Sequence, residues 1–93
     1  MDEFFVYILY SEKNNKSYVG FTADLFKRMK QHNFSVENKR AFTYRFRPWL
    51  LIHFETFSSK SQALMREKWF KSGIGREHRD RIISEFFQKL SQV

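Results

Sequence analysis

The phenols of Tyr7 and Tyr18, the guanidinium of Arg28, the imidazole of His32 and the carboxylate of Glu67 are the side chains of this chain that could act together on a phosphodiester. Hydrolysis of such a bond needs an in-line nucleophile, charge stabilisation on the phosphoryl oxygens and help for the departing alkoxide. A divalent cation on a carboxylate can supply the last two. The sequence has no cysteine, and His32, His53 and His78 do not fall at zinc-ligand spacing, so a metal would have to sit on oxygen. A phenol with its ordinary pKa of about 10 is a poor base at neutral pH unless nearby cations lower it. Arg28, fixed in charge and forked in geometry, is suited both to that task and to gripping a phosphate.

Separate elements must carry these groups. Phe4 to Tyr10 is a β-branched and aromatic run, Glu12-Lys13-Asn14-Asn15 is turn material and Lys16 to Phe21 is a second short strand, which predicts a β-hairpin. With an even number of turn residues, odd positions of the first strand oppose even positions of the second, and Tyr7, Tyr18 and Gly20 share a face. Gly20 then either leaves a gap through which a phosphate can approach the sheet or is an ordinary bulge or strand-end glycine. Thr22 or Asp24 can cap a helix to about Asn33, with Leu25 and Met29 as its apolar stripe and Arg28 and His32 together on an adjoining face.

Trp49 to Phe57 reads as a third strand, with His53 packed or at an edge. Ser59 and Gln62 form a capping box that opens a helix from about Lys60 to Ser72, stopped at Gly73. On that helix Ala63 and Leu64 precede Glu67 by a turn and Phe70 follows it, so the carboxylate projects from an apolar stripe. There it is costly unless paired, hydrogen-bonded or bound to a metal. An ion pair with Arg28, Arg66 or Lys71, or a tilt toward solvent, would also satisfy it. Met65 and Trp69, on the opposite side, offer a contact for the last helix, for a partner protein or for a second copy in a homodimer. That last helix, about Arg76 to Leu90, sets Ile83, Phe86, Phe87 and Leu90 at helical spacing as a cap on the core.

The net charge of +7 is unevenly spread, with residues 24–47 carrying seven bases against Asp24 and Glu37. Such clustering is the electrostatic footprint expected for a polyanion such as nucleic acid. Between 34 and 48, Lys39, Arg40, Arg45 and Arg47 alternate with Phe34, Phe42, Tyr44 and Phe46. Bases for phosphates and rings for nucleobases suit a contact loop on distorted or single-stranded substrate, while the rings could equally pin a long loop to the core. Arg76 and the bases after it could extend the nucleic-acid surface.

Taken together, Val6-Tyr7-Ile8, Tyr18-Val19-Gly20, Arg28 and Glu67 resemble the GIY-YIG nuclease family over Phe5 to about Lys71. The resemblance implies a metal-dependent DNA endonuclease with Glu67 as the ligand of one Mg²⁺ or Mn²⁺, set in Ala63-Leu64-Met65-Arg66-Glu67. It also implies that Tyr18 activates the attacking water, that Tyr7 orients the nucleophile or shares the role, and that Arg28 grips the scissile phosphate. His32 matches a histidine found one helical turn after the arginine in several members. In the incision domain of the bacterial excinuclease C subunit a lysine stands where this chain has Phe21, and some larger members use an asparagine after the glutamate helix, which Gly73-Ile74-Gly75-Arg76-Glu77 does not offer. The match is nearest to the small stand-alone members.

At 93 residues the expectation is one α/β (α+β) domain over 1–93, with its motif-bearing core at about 4–72 and a capping helix at about 76–90. Its architecture is a three-stranded antiparallel sheet flanked by about three helices. Twelve phenylalanines supply core volume and argue against disorder. No apolar run reaches the roughly 18 residues of a membrane span and the N-terminus lacks a secretory pattern, so a cytoplasmic location is expected. The substrate expected is branched, damaged or single-strand-containing DNA of the repair or recombination type. The alternative is a non-catalytic nucleic-acid-binding module that keeps the same fold.

Overall fold

The computed structural model describes residues 3–36 and 41–92. Lys39 and Arg40, two of the expected nucleic-acid contacts, lie outside the described residues. Strands β1 (Phe4–Ser11) and β2 (Lys16–Thr22) form the expected hairpin, and β3 (Leu50–Phe57) pairs antiparallel on the other side of β1, giving the order β2-β1-β3. Ser11 opposes Lys16, so the loop is the even-numbered Glu12–Asn15. Asn15 takes the left-handed conformation at φ 52, which asparagine tolerates better than most residues. Tyr7 therefore faces Gly20, Leu9 faces Tyr18, and all four lie on one side of the sheet.

Alternation along β1 divides the core into two halves. Val6 and Ile8 pack with Val19, Ile52, Ala63, Phe70 and Ile83. This half is covered by α3 (Lys60–Phe70) and α4 (Gly73–Ser91). Tyr7 and Leu9 pack with Trp49, Tyr18, Leu25, Met29, Phe46 and Leu51 under α1 (Leu25–Phe34) and the short α2 (Phe42–Arg45). A bulge between Ile8 and Leu9 in the β1–β3 ladder lets Ile52 serve the first half and Leu51 the second.

Capping sets the helix boundaries. Asp24 caps α1 by accepting from the Lys27 amide at 3.1 Å, and Ser59 caps α3 by accepting from the Gln62 amide at 3.3 Å. The expected stop at Gly73 is not there. α3 ends at Phe70, Ser72 caps the next helix by accepting from the Gly75 amide, and α4 begins at Gly73, a turn earlier than the apolar spacing from Arg76 suggested. The apolar period begins only where α4 meets the sheet, whereas its first turn is set by the serine cap and by backbone contact with α3. A Cβ on Gly75 would fall 1.7 Å from the Trp69 carbonyl oxygen, while Gly73 has open space. Trp69 lies 5.5 Å from His78 of α4, so its ring is used within the chain, and Met65 alone of the expected partner-contact pair stays well exposed. Among the described residues no helix is long and apolar enough to cross a membrane.

Gly75→Ala should push the two helices apart and destabilise the fold by ~1–3 kcal/mol, as overpacking does. Gly73→Ala should stay within ~0.5 kcal/mol of the parent. Urea unfolding of both variants checks this, and equal losses would show that the close approach is not what joins the helices.

Candidate active site

Tyr7 is the buried foundation of the site. A Cβ on Gly20 would lie 2.2 Å from the Tyr7 hydroxyl oxygen, so the room left by the glycine is filled by the phenol. This corrects the expectation that Gly20 opens a path for phosphate: the glycine is itself buried, and it admits a ring rather than a ligand. The Tyr7 hydroxyl lies 2.7 Å from His32 Nε2. Burial pulls the His32 imidazole down to about 4, with the Arg28 charge adding to the effect. Burial likewise pushes the Tyr7 phenol up to about 12, with Tyr18 and Glu67 adding and Arg28 opposing. Both partners are neutral at pH 7, and the phenol, the stronger acid, donates to Nε2.

Tyr18 occupies a different environment on the same face. Its ring lies 5.3 Å from His32 and 6.4 Å from Tyr7, and it stacks on Phe42 at 6.2 Å. It is half-buried and lines an open cleft of about 390 Å³ together with Arg28, Gln31, His32, Tyr44 and Arg47. Arg28 stands exposed at the rim, one turn before His32 on α1, and its Nη1 donates to Gln31 Oε1 at 3.2 Å. Gln31 was not singled out from the sequence, although its i, i+3 position relative to Arg28 carries that signal.

The ring-rich segment turns out to be chiefly a wall. Arg47 Nε donates to the His32 carbonyl at 3.0 Å, its Nη2 donates to the Ser35 carbonyl, and its guanidinium lies 4.2 Å from the Tyr44 ring centroid. A guanidinium so engaged ties the end of α1 to the loop, and less of it is left for a phosphate. Phe42 packs on Phe46 and Trp49, at 4.8 and 5.8 Å. Asn33 completes the attachment: its Oδ1 accepts from the Trp49 amide at 2.7 Å and its Nδ2 donates to the Trp49 carbonyl at 3.1 Å. Arg45 remains exposed beside Phe46, and Arg76 is exposed on α4, across the sheet from the cleft.

Glu67 is not a lining residue of the cleft. It projects from α3, half-buried with 22% of its side chain exposed, near enough for its charge to act on the Tyr7 phenol. Among the described residues its ion pair is a loose contact with Lys71 at 3.6 Å. Arg66 is committed elsewhere, holding Glu55 through both Nε (2.8 Å) and Nη2 (3.2 Å), while His53 also bonds Glu55. Among the described residues no group of three or more His, Cys, Asp or Glu could hold a metal. What Glu67 offers is a single reachable carboxylate already facing one displaceable cation. That donor set fits a hard divalent ion that keeps most of its ligands as water and substrate oxygen.

A model of the GIY-YIG catalytic domain family matches residues 3–80. The chain is 36% identical over 84 residues to the UPF0213 protein lin0209 of Listeria innocua, covering 90% of this chain and 89% of that protein. It is 40% identical over 74 residues to the UPF0213 protein YazA of Bacillus subtilis, covering 78% of this chain and 71% of that one. The solution NMR structure of the UPF0213 protein BH0048 from Bacillus halodurans is 33% identical, with a TM-score of 0.48, covering 82% of this chain and 80% of that chain.

The depressed imidazole predicts an acid-side loss of stability. Below its ordinary value of 6.5 the unfolded His32 binds a proton that the folded one refuses until about 4. Stability from this group is therefore whole above pH 6.5 and declines as pH falls through that window, by on the order of 2 kcal/mol. His32→Gln keeps an acceptor for Tyr7 and removes the titration, so its urea midpoint should fall less between pH 7 and 4.5 than the parent's. Parallel declines would contradict the assignment.

Proposed function

Because the chain belongs to the GIY-YIG family, we propose that it is a metal-dependent endonuclease that hydrolyses phosphodiester bonds in branched, damaged or single-strand-containing DNA. The observation that carries this reading is the convergence of Tyr18, Arg28 and His32 on one open cleft, with Tyr7 hydrogen-bonded behind them and Glu67 within electrostatic reach. The two phenols divide the work according to their surroundings. Tyr18, solvent-reachable and beside a fixed cation, activates the attacking water. Tyr7, neutral and enclosed, orients His32 and through it the cleft floor. Arg28 grips the scissile phosphate from the rim, where the charge on the phosphoryl oxygens grows during attack. Glu67 would hold one Mg²⁺ or Mn²⁺, which when bound supplies charge neutralisation and assistance to the leaving alkoxide. A domain of this size covers few base pairs, so its own recognition rests on the local structure of DNA rather than on a long base sequence.

Labelled duplex, flap, bulge and single-stranded DNA incubated with the protein and Mn²⁺ should show metal-dependent cleavage of at least one non-duplex form. Glu67→Gln and Tyr18→Phe should each slow it by ~10²-fold or more, whereas Glu85→Gln, an exposed change on α4, should cleave as the parent does. Salt-sensitive binding with no cleavage, identical in the parent and Glu67→Gln, would mark a binding module and overturn the enzymatic reading.

A further inference from the structure

The flank of α1 turned away from the cleft carries a second concavity that the proposed chemistry does not use. Phe5, Leu25, Phe26, Met29, Leu51 and Phe54 line an apolar groove of about 430 Å³ between α1 and the end of the sheet. That size lies within the ordinary range of small-ligand clefts, about 300–1,000 Å³. Its rings are left open to solvent: Phe26 is 74% exposed and Phe54 50%. Rings of this size lining one groove call for an explanation on a small domain whose other phenylalanines, apart from Phe34 and Phe42, are buried or half-buried. Phe5 meets Phe54 edge-on at 6.1 Å, so the Phe54 ring has a backing. Phe26 has a cation over one face, with Lys30 Nζ 4.8 Å from the ring centroid, which leaves the other face for a stacking partner.

Charge narrows the choice of occupant. From Leu25 to Phe34, α1 contains Lys27, Arg28 and Lys30 and no acidic residue, and all three bases are exposed. Asp24, the acid that lines the groove, is the helix cap and accepts from the Lys27 amide. A groove that is apolar inside and basic along its helix suits a ligand with flat faces and a phosphate chain. The same helix forms one wall of the groove and one wall of the cleft, so the two lie about one helix width apart, ~10 Å. A strand whose phosphate sits at Arg28 could cross that helix within a few nucleotides.

We propose that this groove is a docking site for an unpaired DNA base, which stacks on Phe26 and Phe54 while its phosphates meet Lys27 and Lys30. The proposal rests on the reading of the cleft as a phosphodiester site and adds to it the means of choosing non-duplex DNA. Stacking on exposed rings is tolerant of base identity, and an unpaired base is the form in which DNA offers its faces without the cost of breaking a stack. Fully paired duplex would be held by the basic residues alone. Selection between the two would then come from a surface separate from the reacting groups.

Binding in EDTA, followed by fluorescence anisotropy, separates the groove from catalysis. The parent should prefer a duplex carrying a single-nucleotide bulge over its fully paired counterpart, and 2-aminopurine at the bulge should change its emission on binding. Phe26→Ala and Phe54→Ala should each reduce that preference by about tenfold while leaving duplex affinity unchanged. Circular dichroism would confirm that these surface variants remain folded. Glu67→Gln should keep the 2-aminopurine response, and a parent protein that shows the response but cleaves no form with Mn²⁺ would sink the nuclease reading and leave the groove standing. Cleavage persisting while both phenylalanine variants bind the bulge like the parent would overturn the groove. A dimer at micromolar concentration that Phe26→Ala dissociates would also overturn it, by giving the surface to a second copy.

Discussion

The contact between the Tyr7 phenol and the bare α-carbon of Gly20 is the constraint from which the rest of the site follows. Only a residue without a side chain leaves room for the ring across the hairpin, since any Cβ would sit 2.2 Å from the hydroxyl oxygen. Held there, the phenol directs its hydrogen bond to His32 Nε2 at 2.7 Å and thereby fixes which side of α1 turns inward. Arg28, one turn earlier on the same side, is then carried to the rim of the cleft. A glycine in a strand thus sets the position of a guanidinium on the next helix. The hairpin register that pairs Tyr7 with Gly20 also pairs Leu9 with Tyr18, so one alignment puts both phenols on the same face.

Two tyrosines of identical intrinsic chemistry are separated by what surrounds them. Burial drives Tyr7 toward about 12, so its phenol stays protonated near neutrality. Tyr18 meets water and lies in the cleft with Arg28. The hidden phenol is packed, and the open one is the phenol that a ligand in the cleft would meet. His32 follows Tyr7 in this division, because burial pulls its imidazole down to about 4 and leaves it neutral at pH 7. The cleft therefore has an uncharged floor of Tyr7 and His32 below the exposed guanidinium of Arg28.

Much of this was legible in the residues, and the failures have identifiable causes. Period-two alternation gave the hairpin and its face, and apolar spacing put Glu67 on the inward stripe of its helix, because both depend on neighbours near in sequence. The reason for Gly20 was not legible, since a gap and a filled gap look alike until the ring across the sheet is placed. Gly73 suggested a helix stop, yet Ser72 outcompeted it as a cap and made it the first residue of the next helix. The aromatic segment left two readings open, and the wall reading prevailed for Phe42, Phe46 and Arg47 because Asn33, Trp49 and two carbonyls at the end of α1 provide partners 12 to 16 residues away. Such pairings leave no local pattern. The short α2, with four residues, is likewise below the length at which periodicity speaks.

The formal charge of +7 overstates what a ligand at the cleft would feel. Arg66 is bound to Glu55 and lies 4.4 and 4.6 Å from the Trp69 and Phe70 ring centroids, Arg47 is spent on backbone carbonyls, and Lys71 attends Glu67. Arg76 and Arg81 sit on α4, which covers the other half of the core. The protein measures 36 × 32 × 27 Å, several times the screening length of about 8–10 Å at physiological salt, so their contribution at the cleft is small. Among the described residues the exposed bases nearest the cleft are Arg28, which lines it, with Lys27 and Lys30 elsewhere on α1 and Arg45 on α2. A strand attracted by so short a row of charge is aligned by a single helix. On the proposed reading, the position of the scissile phosphate would be set by the same Tyr7–His32 bond that orients α1 on the sheet.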